Sequence, residues 1–156
     1  MREAVIQILC AGMGTLGFSL FFHVAMRHLP VAALGGVLSW ACYLLVFAVC
    51  GDVFFSTLVA ALAICLWSES MARIRKAPAN VFLIPGIVPL LPGGALYYLM
   101  DSVVQGDMEG VLHRGSETIF VAVGIAGGIL FASELVRVIL YVRKRRERKK
   151  RGKTLP

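Results

Sequence analysis

Apolar positions along the chain gather into five long runs separated by short charged or turn-forming breaks. Ala4–Met26 holds no Asp, Glu, Lys or Arg over 23 residues and ends at Arg27-His28-Leu29-Pro30. Val31–Cys50 ends at Gly51-Asp52, and Val53–Ala72 is charge-free until Glu69, with Arg73, Arg75 and Lys76 closing it. Ala77–Met100 carries no charge but four prolines, and Thr118–Val142 carries Glu134 and Arg137. A helix needs about 20 apolar residues to cross a hydrocarbon core. The pattern predicts an all-α integral membrane protein with about five transmembrane helices, over residues 4–26, 31–50, 53–72, 77–100 and 118–142. The first run is too long for a signal peptide, and Arg2 is offset by Glu3.

Between the fourth and fifth runs, Val103, Val104, Met108, Val111 and Leu112 recur at helical spacing within Asp101–Ser116. That spacing predicts a short interfacial helix on the outer surface, with a plain polar loop as the alternative.

The fourth run is unsuited to lipid. Pro85-Gly86, Pro89 and Pro92-Gly93-Gly94 place three prolines and three glycines close together. Each proline removes a backbone donor and frees a carbonyl four residues earlier. An unpaired peptide group in hydrocarbon costs several kcal/mol, so the segment must pack in protein or line a water-containing cavity. Broken helices at mid-membrane present backbone dipoles to a solute in many transporters. Pro85, Gly86, Pro89, Pro92, Gly93 and Gly94 are therefore the expected lining of a substrate path, with Tyr97 and Tyr98 offering hydroxyls or aromatic faces to the solute. A kinked helix that only packs against a neighbour is the competing reading.

Composition agrees with a membrane protein: 58% of the 156 residues are hydrophobic and 16% charged, with a mean hydropathy of +0.80. The formal net charge of +7 belongs to the end of the chain. Residues 143–156 form a basic tail of +8, and everything before it sums to −1. A basic block directly after an apolar run is a topology determinant held near anionic headgroups, and the tail lacks the aromatic or motif context of a nucleic-acid site. With the tail in the cytoplasm, alternation places Arg27 and Arg73–Lys76 inside. It places Glu3, Asp52, Asp101, Asp107, Glu109 and Glu117 outside. The N-terminus is then outside. Four full spans with one run half-inserted would move it inside.

Little of the remaining sequence carries chemistry. Cys10, Cys42, Cys50 and Cys65 lie in apolar runs without metal or redox spacing. Gly12-Met13-Gly14-Thr15-Leu16-Gly17 lacks the strand and the later acid of a dinucleotide site. It instead reads as small residues that let helices approach. Gly124 and Gly128 form a small-xxx-small packing pair. Glu69 stands four residues before Arg73 and Glu134 three before Arg137, so each has an ion-pair partner. Both are also candidates for proton coupling, Glu134 first because of its depth in the last run. His23 lies near the inner end of the first run and is most simply hydrogen-bonded. No catalytic set, metal site or cofactor motif is assembled, so an enzyme is not expected.

The segment Pro78–Met100, with Trp67-Ser68 before it, Val81-Phe82, "IPGIVPLLPGG" and Tyr97, resembles the signature of the ThrE-type threonine/serine exporter family. In length the chain is similar to the family's separate small, YjjB-like subunit, the carboxy-terminal half of the exporter as a free chain. The resemblance implies a two-component exporter of small metabolites in the bacterial inner membrane, working with a larger YjjP-like subunit. The solute would be threonine or serine, as in full-length members, or succinate, as in the split form. Stoichiometry stays open, higher oligomers included. The rival from another class is a non-transporting assembly subunit.

Overall fold

The computed structural model describes residues 2–151, all of whose regular elements are helical. Helix α1 spans Arg2–Phe21, α2 Leu29–Cys50, α3 Val53–Arg75, α4 Asn80–Ile87, α5 Gly93–Gln105 and α6 Met108–Arg151. Four helices are long and apolar enough to cross a membrane, and α4 with α5, bent by 46° at their junction, makes a fifth if taken together. The protein is an all-α membrane protein.

Two Gly-Asp pairs make the tight turns. Gly51 ends α2 with φ 67°, and the Asp52 carboxylate accepts the Phe55 N–H at 2.8 Å to open α3. Gly106 ends α5 with φ 73°, and Asp107 accepts the Gly110 N–H at 3.1 Å at the start of α6. A left-handed residue is natural for glycine, and an aspartate at the cap satisfies an orphan amide.

These turns relocate several boundaries. Helix α1 stops at Phe21, five residues before the apolar run ends; His23 then adopts φ 56°, and Met26–His28 form one 3-10 turn. The segment Asp101–Ser116 is not a separate interfacial helix. Its first residues complete α5 and its last open α6, because Gly106-Asp107 breaks the helix in the middle. Helix α6 thus begins ten residues before the fifth apolar run. Its 44 residues make about 66 Å at a rise of about 1.5 Å, more than a bilayer core requires. The basic tail belongs to α6 as far as Arg151, and residues 152–156 lie outside the described residues.

Packing follows membrane rules, with small and hydroxylic side chains inside and large apolar ones outside. Thr15, Ser19, Ser39, Thr57 and Ser68 are buried, while Val49, Met13, Leu130 and Phe131 are exposed. The buried hydroxyls of Thr15, Ser19, Thr57 and Ser68 each donate to a carbonyl one turn earlier, at 2.7–2.8 Å. Lipid is as apolar as leucine, so close contact of small residues, rather than apolar burial, holds such helices together.

Helices α3 and α6 lie side by side and parallel. A Cβ on Gly124 would stand 3.1 Å from the Phe54 carbonyl, and one on Gly128 only 2.7 Å from Ala61 Cβ. One turn further on, Cys65 Sγ is 3.9 Å from Ser133 Oγ. Helix α4 runs parallel to α2, with Phe82 buried beside Val31 and Ala32 and Gly86 against Gly35 and Ile64. Parallel α2/α4 and α3/α6 pairs are what five alternating crossings require.

Candidate functional site

The break after α4 is tied down group by group. Pro89 and Pro92 supply no N–H, so the carbonyls of Pro85 and Val88 lose their usual helical partners. The Val88 N–H caps the Pro85 carbonyl, and Leu91 N–H donates to Val88 at 3.2 Å. The Gly86 carbonyl lies 2.9 Å from the Ser39 hydroxyl of α2. Irregular backbone is thereby paired inside the bundle rather than left in lipid.

Two cavities flank this segment. One, of about 470 Å³, opens at the end of the bundle where α1 meets α2 and α3 meets α4. His23, Arg27, His28, Lys76, Asn80 and Pro85 line it. The other, of about 160 Å³, lies beyond the break and is lined by Trp40, Tyr43, Thr57, Pro89, Pro92 and Glu117. Between Pro85 and Pro89 the chain is sealed. Gly86 sits so close to Ile64 that an added Cβ would be 2.7 Å from Ile64 Cγ1, and Ile64 and Phe82 are fully buried. Leu90, Ala60, Ala61, Val121 and Ile125 continue the seal.

The smaller cavity has polar edges in an apolar setting. Trp40 Nε1 is buried and has no hydrogen-bond partner among the described residues. Its ring stacks on Tyr43 with centroids 5.1 Å apart. Glu117 also lines a wider crevice of about 860 Å³ between the α2–α3 turn and α6, beside Asp52, His113 and Arg114. The Glu117 carboxylate therefore stands where the inner bundle meets the open surface.

The expected path residues divide. Pro85 lines the first cavity, and Pro89 and Pro92 the second. Gly86 is in the seal, and Gly93 and Gly94 have open space beside them. Tyr97 and Tyr98 are exposed on α5, with the Arg114 guanidinium 5.2 Å above the Tyr98 ring. Glu69 pairs with Arg73 at 3.4 Å. Glu134 pairs with Arg137 at 3.1 Å, with 62% of its side chain exposed. Neither acid lines the cavities described above. Trp40, Tyr43, Thr57 and Glu117 were not singled out by sequence as site residues. The one signal available was Glu117, the last acid before the fifth apolar run.

Residues 7–135 match the family described as Threonine/Serine exporter, ThrE. The chain belongs to that family. The match takes in both cavities, the broken segment of this ThrE-family chain and the α3–α6 contact, and stops before the basic end of α6. No solved structure matches the chain.

Proposed function

We propose that the chain is a subunit of a secondary exporter of small metabolites, with the α4–α5 break as its gate. The observation that carries the reading is the pair of polar-edged cavities on either side of the Gly86–Ile64 seal. In an alternating-access cycle the seal would yield on one side at a time, while the two prolines keep α4 and α5 from fusing into one stiff helix. Family membership supports export of threonine or serine; succinate is the alternative solute. A larger partner subunit completes the path in this proposal, and the exposed apolar side chains of α5, among them Met100 and Val104, offer it a surface. The basic end of the bundle, with Arg27 and Lys76, faces the cytoplasm, and Asp52 and Glu117 face outward. The membrane is the bacterial inner membrane, with the N-terminus outside.

The test is solute efflux from cells that carry the chain with its partner, compared with Gly86→Ala. The added methyl meets Ile64, so α4 cannot close as tightly. Expected is efflux cut by about tenfold with unchanged membrane insertion. Normal export by Gly86→Ala, together with no reaction of Leu91→Cys with a water-soluble maleimide, rejects the gate and favours a packing subunit.

A further inference from the structure

We propose that the crevice between the α2–α3 turn and α6 is a phospholipid site, selective for a zwitterionic headgroup with a primary ammonium, as in phosphatidylethanolamine. The crevice shares only Val53 and Glu117 with the smaller cavity beside the break. The proposal holds whichever solute the chain exports.

The crevice is amphipathic along its length. Its volume of about 860 Å³ exceeds that of either cavity at the break. Asp52, Arg114 and Glu117 stand at one end, and Phe54, Ile119, Phe120 and Val123 continue the lining. Ile119, Phe120 and Val123 fall on one face of α6, at the spacing of successive turns. From Arg114 to Val123 that wall runs about 14 Å, at about 1.5 Å per residue. These three side chains are 53–63% exposed, so the crevice opens sideways toward the bilayer. A headgroup at the charged end leaves an acyl chain to cover the apolar wall. A free amino acid has the two charges but no chain to lay there.

The charges complement a zwitterion. Glu69 pairs with Arg73 at 3.4 Å and Glu134 with Arg137 at 3.1 Å. Arg114 and Glu117 are three residues apart on α6 and half-buried, yet among the described residues neither makes an ion pair. The Arg114 guanidinium lies over the Tyr98 ring, 5.2 Å from its centroid. Contact through its face leaves the edge N–H groups of the guanidinium for a phosphate. On the acidic side, Asp52 spends one oxygen on the Phe55 N–H at 2.8 Å. Its other oxygen and the Glu117 carboxylate can accept from an ammonium. A primary ammonium brings three N–H donors, whereas the quaternary group of phosphatidylcholine brings none. Phosphatidylglycerol carries no positive charge to offer the two acids. The α2–α3 turn ends two apolar spans, which sets these groups at headgroup level, and Tyr98 belongs to the aromatic side chains favoured there.

The test is native mass spectrometry of the full chain in mild detergent. Phosphatidylethanolamine, phosphatidylcholine and phosphatidylglycerol with identical acyl chains are offered in equal amounts. Phosphatidylethanolamine should be retained about tenfold over each of the others. Asp52→Asn keeps the helix cap, because asparagine caps as well as aspartate, and removes the charge. It should abolish the preference for phosphatidylethanolamine over phosphatidylcholine while circular dichroism stays the same. Arg114→Gln should weaken retention of all three lipids by about tenfold, since all carry the phosphate. Arg73→Gln, at the other end of α3, should change nothing. Equal retention of the three lipids by the unaltered chain overturns the proposal, as does a preference that survives both Asp52→Asn and Arg114→Gln. Displacement of the lipid by threonine overturns it too, and assigns the crevice to solute instead.

Discussion

Ser39 holds the Gly86 carbonyl at 2.9 Å while lying the same distance from the Gly36 carbonyl of its own helix. One hydroxyl proton serves two acceptors, so α4 can leave Gly86 unbound and Ser39 still keeps a partner. Both ends are buried, so the contact is shielded from water.

Ser39→Ala should therefore strand the Gly86 carbonyl in a dry interior. The expected loss is about 1 kcal/mol, since hydrogen bonds between membrane helices are worth less than their isolated strength. Thermal unfolding of the purified chain in detergent would show a lower midpoint. Ser70→Ala, which removes an exposed hydroxyl bonded only within α3, should leave the midpoint unchanged. Equal midpoints for all three proteins would mean that the Ser39 bond contributes nothing.

The α3–α6 seam should be sensitive at one glycine and indifferent at its neighbour. A methyl at Gly128 would overlap the Leu58 carbonyl and Ala61, both fixed parts of α3. Gly128→Ala should cost about 1–3 kcal/mol, the usual penalty of overpacking. At Gly127 the nearest atom to an added Cβ is Leu58 Cδ1 at 3.7 Å, an ordinary contact. Gly127→Ala should be neutral or stabilise by up to about 1 kcal/mol through helix propensity. Denaturant unfolding of the two variants in mixed micelles measures the contrast, and similar losses at both positions would contradict it.

The spans were legible in the sequence because lipid imposes a length and a polarity on each of them. The break in the fourth run was legible for the same reason: Pro85, Pro89 and Pro92 cannot all sit in a regular helix. The start of α6 was not. Met108–Glu117 mixes polar and apolar residues without a proline, and that composition suits a surface loop as well as a helix that outruns the bilayer. Nor were the cavities legible. Trp40, Tyr43, Thr57 and Glu117 come from three helices that are remote in sequence, and only packing brings them to Pro89. The proline pattern located the break, but the polar partners opposite it are ordinary residues when read along the chain.

Orientation can be tested with cysteines already present or easily placed. Cys50 is exposed at the end of α2, one residue before Gly51-Asp52, and Ile74 is 68% exposed in the last turn of α3. In a chain whose only cysteine is Cys50, a membrane-impermeant maleimide should react on intact cells. With Ile74→Cys as the only cysteine, reaction should require permeabilised cells. The opposite pattern would invert the proposed topology and move the Arg27–Lys76 cavity outside.

Proton linkage separates Glu117 from Glu134. Glu134 is satisfied by Arg137 on an exposed face of α6, so its charge is compensated whether or not solute is bound. Glu117 instead lines the smaller cavity with Tyr43 and Thr57, and the adjoining crevice with His113 and Arg114. If export is coupled to protons, a carboxylate that lines this cavity is the acid placed to carry the coupling. Glu117→Gln fixes the group in its neutral form, so efflux should lose most of its dependence on a pH gradient. Glu134→Gln should retain that dependence and lose at most about 0.5 kcal/mol of stability, the scale of an exposed helix pair. Efflux measured against imposed pH gradients decides the matter. If Glu134→Gln alone abolishes the dependence, coupling runs through the α6 ion pair rather than through the smaller cavity.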